Sequence, residues 1–288
     1  ASPSPCCTPG SHGPAAPPQG YVAKGVMQGV DGVQCYVVGG DGRDAIIVGH
    51  DIFGLRSGRT QQICDELAES LGVLVVLPVF FEGGCAGGEV TGDAVSRALG
   101  GSPGAGFFER AGHWMKAVYH APALLRGIKA HNWATVAPKV DAVFAMLRQR
   151  GVERVGILGF CWGGWLAFRL SCREDVLCGV SAHPSQSQIC SMLKEDFSGI
   201  CEAIRCPQML LAAREDKPDI KEGGIAERVL SAKPFGSDCV FRTFGEMKHG
   251  WVNRGNLEHE AVARDTAEAL RLTKDFFRKH LLKIAGTD

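Results

Sequence analysis

The sequence predicts an α/β fold in which helices flank a mostly parallel central sheet, and three observations predict it. Short continuous apolar runs, Ala45-Ile46-Ile47-Val48 and Val73-Leu74-Val75-Val76-Leu77, have the length and uniformity of strands buried on both faces. Between them Ile63, Leu67 and Leu71 recur every fourth residue, the spacing of a helix with one buried face, so the unit reads β-α-β. Further on, Val155-Gly156-Ile157-Leu158 runs through Gly159-Phe160-Cys161-Trp162-Gly163-Gly164 into helix-like sequence from Trp165 to Leu170, a strand turning sharply into a helix.

In chain order, Ala1 to Gly20 is rich in Pro, Gly and Ser and reads as a flexible arm, with residues 21–288 as a single domain. Gly29 to Val38 reads as a hairpin, with Asp31-Gly32 as its turn. The β-α-β unit follows. Gly83 to Gly106 is Gly-rich and lacks periodicity, as loops over a site do, and Phe107 to Tyr119 is compatible with a helix. Val140, Val143, Phe144 and Leu147 mark an amphipathic helix leading to the strand before Cys161. Three more apolar runs follow: Val176 to Ser181, Met209 to Ala213, and Cys239 to Phe244. Ala263, Ala267, Leu270, Phe277 and Leu281 then recur at three-, four- or seven-residue steps and outline a long final helix.

Bulk properties narrow the function. The 288 residues have a formal net charge of +0, 45% apolar content and no basic block, which gives a nucleic-acid surface no electrostatic support. No apolar run reaches the roughly 18 residues of a membrane span, and no signal-peptide core is visible. The 12 cysteines are scattered and contain no C-x-x-C pair. They read as buried thiols in a reducing setting, expected to be the cytoplasm, rather than as a disulfide framework or a zinc site. No dinucleotide fingerprint or phosphate loop is present, so no cofactor and no metal is expected.

The Gly-x-Cys-x-Gly pattern has the form of a nucleophile elbow, with cysteine where serine is usual. Small residues two positions either side let strand and helix close together, and the helix N-terminus aims N–H groups at the thiolate and at an oxyanion. A thiolate needs an imidazole, and the imidazole needs a group to orient it. An α/β-hydrolase fold presents these in the order nucleophile, acid, histidine. Cys161, Asp216 (with Glu215 and Asp219 as neighbouring carboxylates) and His249 occur in that order, each just past the carboxyl end of an expected strand, the edge where open α/β sheets place their sites. Phe53, Phe80, Phe81, Trp162 and Trp251 lie close by in sequence and suggest an apolar pocket.

Three stretches together resemble the dienelactone hydrolase family: Gly159-Phe160-Cys161-Trp162-Gly163-Gly164, His249-Gly250-Trp251, and His50-Asp51-Ile52-Phe53-Gly54. The opening Cys6-Cys7-Thr8-Pro9-Gly10 is similar to the eukaryotic members, and the likeness spans about Tyr21 to Leu282. It implies a compact α/β-hydrolase fold without a large cap, and hydrolysis of small ester or lactone substrates through an acyl-cysteine. Carried over by position, Cys161 is the nucleophile, His249 the base and Asp216 its partner. The backbone N–H groups of Ile52 and Trp162 form the oxyanion hole. The family's thiol-tuning glutamate is here Asp51, one methylene shorter. Arg254 matches one of two arginines that hold a substrate carboxylate in bacterial members, and the stretch Pro78 to Gly83, where the other belongs, has none. The competing expectation is a ligand-binding or interaction protein on the same fold, which would bind without turnover. A glycosidase would need two facing carboxyls, and a redox sensor a resolving cysteine; the sequence identifies neither.

Overall fold

The structure is a computed structural model that describes residues 17–81, 85 and 125–283. The arm up to residue 16, with Cys6 and Cys7, lies outside the described residues. So do the helix-compatible stretch 107–119 and nearly all of the Gly-rich region.

Eight strands form one sheet: β1 (Val26–Val30), β2 (Val33–Val38), β3 (Asp44–Gly49), β4 (Leu74–Pro78), β5 (Arg154–Phe160), β6 (Val176–Ala182), β7 (Gln208–Ala213) and β8 (Val240–Phe244). Their order is β1-β2-β4-β3-β5-β6-β7-β8. The first two pairings are antiparallel and the remaining five parallel. The β1–β2 turn has Asp31 at φ 41° and Gly32 at φ 80°, the two positive values a type I′ hairpin requires.

Alternation along each strand divides the core. Ile46, Val48, Val75, Leu158 and Met209 point to the face covered by α1 (Thr60–Leu71) and the long final helix. Ala45, Ile47, Val76, Ile157 and Leu210 point to the other face. That face carries α2 (Trp133–Gln149), α3 (Trp162–Leu170), α4 (Gln186–Leu193), α5 (Phe197–Ala203) and α6 (Ile225–Ser231). A short α7 (Trp251–Arg254) precedes the final helix, α8 (Glu260–His280). Among the described residues there is no large cap, and no helix is long and apolar enough to cross a membrane.

The long helix is present as expected, and its buried stripe shares Phe277 with the residues that marked it. Val262, Thr266, Ala269, Thr273, Phe276 and Phe277 face the sheet, whereas Ala267 is exposed. Thr273 donates its hydroxyl to Ala269 O at 2.8 Å, so it enters the core without an orphaned polar group.

Candidate active site

At the end of β5 the chain enters Cys161 with φ 54° and ψ −111°, and α3 begins at the next residue. Such a backbone costs of order 1–3 kcal/mol and persists only where its surroundings dictate it. They do so here. Cys161 N–H donates to Ala182 O at 3.3 Å, and Cys161 O accepts from Gly164 N–H at 3.0 Å and Ser185 N–H at 3.1 Å. A Cβ on Gly159 would lie 2.1 Å from Gly163 O, so only glycine lets strand and helix meet at this angle.

Asp216 sits in a turn just past β7, where its backbone N–H donates to Ala213 O and its Oδ2 accepts Ala213 N–H at 2.7 Å. It is 4% exposed, while Glu215 is exposed and Asp219 half-buried. Its other oxygen accepts from His249 Nδ1 at 2.6 Å, which leaves Nε2 to face the thiol. The His249 loop follows β8 and is pinned by Arg214 N–H donating to Met247 O at 3.0 Å. Burial opposes charge on His249, but the Cys161 thiolate and Asp216 outweigh it and hold the imidazole well above the ordinary histidine range. Burial likewise opposes the Cys161 thiolate, yet the imidazolium beside it brings the thiol below the ordinary cysteine range. The buried thiols Cys35, Cys64 and Cys206 are pushed up, mainly by burial. Cys161 is thus chemically separate from them.

The loop after β3 carries Ile52, opposite Trp162 at the start of α3, whose N–H has no partner within the helix. Two groups fix this loop. His50 is fully buried and bridges Asp51 O (2.7 Å, from Nδ1) and Phe80 N–H (3.1 Å, to Nε2), which sets one neutral tautomer; burial pushes its imidazole down to about 4. Asp51 accepts from Phe53 N–H at 2.9 Å, Ser57 Oγ at 2.6 Å and Asn253 Nδ2 at 2.9 Å, with Arg254 Nε at 3.4 Å. Asp51 therefore joins the Ile52 loop to α7, two residues past His249. No hydrogen bond joins it to Cys161 among the described residues, although its charge opposes the thiolate.

Arg254 is 7% exposed, lies against Asp51, and stacks its guanidinium 4.5 Å from the Phe53 ring. Trp162 packs with His50 and Phe81, and Trp251 with Phe244 in the core behind the histidine loop. A groove of about 530 Å³ bordered by Trp133, Arg169 and Arg173 shares no residue with this site. Sequence reasoning missed Ser185, whose hydroxyl lies 3.5 Å from both Cys161 Sγ and His249 Nε2. The one available signal was its place just past the strand neighbouring the elbow strand. It also missed the bridging roles of His50 and Asn253.

Comparisons with known proteins bear on the family and the fold. The model of the dienelactone hydrolase family matches residues 33–281. An uncharacterised AIM2 family protein of Schizosaccharomyces pombe is 28% identical over 279 residues, covering 94% of this chain and 98% of that protein. A carboxymethylenebutenolidase homolog of Mus musculus is 30% identical over 158 residues, 54% of this chain and 53% of that protein. Among solved structures, a putative dienelactone hydrolase from Klebsiella pneumoniae superposes with TM-score 0.55 at 15% identity, covering 90% of this chain and 99% of that one.

Proposed function

The chain belongs to the dienelactone hydrolase family, and on that footing we propose that it cleaves ester or lactone bonds of small molecules through an acyl-cysteine. The observation that carries the reading is the line from Asp216 through His249 toward a thiol held at a strained strand–helix turn.

In this mechanism the Cys161 proton passes to His249 and the thiolate attacks the carbonyl carbon. The oxyanion of the tetrahedral intermediate takes hydrogen bonds from the N–H groups of Ile52 and Trp162, the kind of preorganised contact that dominates acyl transfer. As the intermediate collapses, the C–O bond to the leaving alcohol breaks and the imidazolium protonates its oxygen. Water then attacks the thioester, His249 takes its proton, and the thiolate leaves with the acid released. Thiolate is also a good leaving group, so amides, whose amine departs poorly, are weak substrates.

Arg254 and Asp51 face each other as an ion pair. That charge balance favours uncharged esters and lactones over substrates carrying a carboxylate, which Asp51 would repel. Residues 21–288 act as one unit in this reading. The test is hydrolysis of aryl acetates and a dienelactone by wild type and Cys161→Ala, with the fold checked by circular dichroism. Activity lost with the thiol, and a higher rate on the uncharged ester, are expected. Esterase activity surviving in a folded Cys161→Ala variant refutes the acyl-cysteine. Binding without turnover in wild type would instead indicate a ligand-binding protein.

A further inference from the structure

Ser185 occupies the N-cap of α4, where a serine ordinarily turns its hydroxyl back to accept from the helix's first N–H groups. It makes no such bond. The side chain is instead turned toward the reactive pair, 3.5 Å from Cys161 Sγ on one side and 3.5 Å from His249 Nε2 on the other. These are long contacts, of the kind that tighten when substrate completes a site. Ser185 is only 8% exposed, and its main chain is fixed at both ends: its N–H donates to Cys161 O at 3.1 Å and its carbonyl accepts from Ile189 N–H at 2.9 Å. The hydroxyl is thus presented by the same backbone bonds that hold the elbow.

We propose that Ser185 is a catalytic residue that holds the ion pair formed when the Cys161 proton passes directly to His249, an inference that rests on the acyl-cysteine reading above. The S–H bond breaks and an N–H bond forms at His249 Nε2, leaving a thiolate beside an imidazolium. Afterward the hydroxyl donates to the thiolate and accepts from the imidazolium N–H. Other groups face the pair. Asp216 supports the imidazolium from the β7 loop, the His183 ring packs against His249 from the β6 loop, and Asp51 opposes the thiolate from the β3 loop. The Cys85 thiol also lies within electrostatic reach of Cys161. The Ser185 hydroxyl lies within reach of both reacting atoms.

The experiment follows alkylation of Cys161 by iodoacetamide against pH, read at that residue by mass spectrometry, in full-length wild type, Ser185→Ala and Ser185→Thr. Loss of a hydrogen bond to a charged group raises the Ser185→Ala midpoint by about one pH unit or more, slowing alkylation roughly tenfold below it. Ser185→Thr keeps the hydroxyl and restores the wild-type midpoint. Should alanine unfold the turn, Ser185→Gly, a tolerated N-cap, carries the same expectation. A midpoint unchanged in Ser185→Ala, beside a Cys161→Ala variant that has lost esterase activity, overturns the role of Ser185 and leaves the nucleophile standing. Esterase activity surviving in Cys161→Ala overturns both.

Discussion

Replacing Gly163 by alanine perturbs the proposed oxyanion site while leaving the side chains of Cys161, Asp216 and His249 unaltered. A Cβ there lies 2.1 Å from Gly49 O, 2.5 Å from Gly49 C and 2.9 Å from Gly49 Cα, all backbone atoms of β3 that no rotamer change can move aside. Bringing the shortest contact to 3.0 Å requires the first turn of α3 and the end of β3 to part by about 0.9 Å. Gly163 directly follows Trp162, and Gly49 lies three residues before Ile52, so the gap between the two proposed oxyanion donors opens with it. Donors must lie about 2.7–3.1 Å from the oxyanion, and losing one lowers kcat by about 10²–10³. Overpacking also destabilises the fold by about 1–3 kcal/mol, a few degrees in Tm. Steady-state hydrolysis of an aryl acetate reads the first effect and calorimetry the second. Alkylation of Cys161 stays within about threefold of wild type, because Ser185, Asp216 and His249 hang from other strands. A folded Gly163→Ala variant with kcat within about threefold of wild type would show that Ile52 and Trp162 do not hold the oxyanion.

Two further outcomes follow from the hydrogen bonds around the histidines. Asp216→Asn removes the carboxylate that accepts from His249 Nδ1, so kcat falls by about a hundredfold or more with KM nearly unchanged, as aryl acetate kinetics will show. His50 stays neutral in the fold until about pH 4 because burial disfavours its charge, whereas the unfolded chain takes up that proton below about pH 6.5. The unfolded state binds more protons between these values, so stability falls as pH drops through the window, by about 3 kcal/mol at its lower end. Urea midpoints across the window check this slope, and His50→Gln loses His50's share of it. His249 works in the opposite sense. Its raised value stabilises the fold below about pH 6.5, and that contribution fades as pH rises through its folded value.

Apolar continuity made the sheet legible. Each apolar run read as a strand is a strand. The runs of β3 to β7 are nearly continuous because residues covered on both faces have no reason to alternate in polarity, while β8, at the sheet edge, is only partly buried. The elbow was legible because its steric demand falls on neighbours in sequence. The threonines of the α8 stripe went unmarked because threonine counts as polar by name, while Thr273 satisfies its hydroxyl within its own helix. Ser185 was illegible for a different reason. Only the β5–β6 register, which sets Phe160 beside Ala182, brings the turn after β6 under the elbow. Asp51 shows the limit of resemblance. Its position suggests a side chain directed at the thiol, yet its oxygens bond Ser57 and an asparagine 202 residues away. No local pattern encodes a partner at that distance.

That separation also sets when the protein becomes reactive. Cys161 leaves the ribosome well before Asp216 and His249, and Asn253, which ties down the Ile52 loop, comes later still. Until the turns after β7 and β8 dock, the thiol has no imidazole beside it and behaves like the chain's other cysteines. Nascent and partly folded chains therefore react at this position only as an ordinary thiol does, through the small thiolate fraction present near neutral pH. In the proposed mechanism the enhanced reactivity appears only with the completed sheet, so alkylation of Cys161 well below the ordinary cysteine range reports folded molecules.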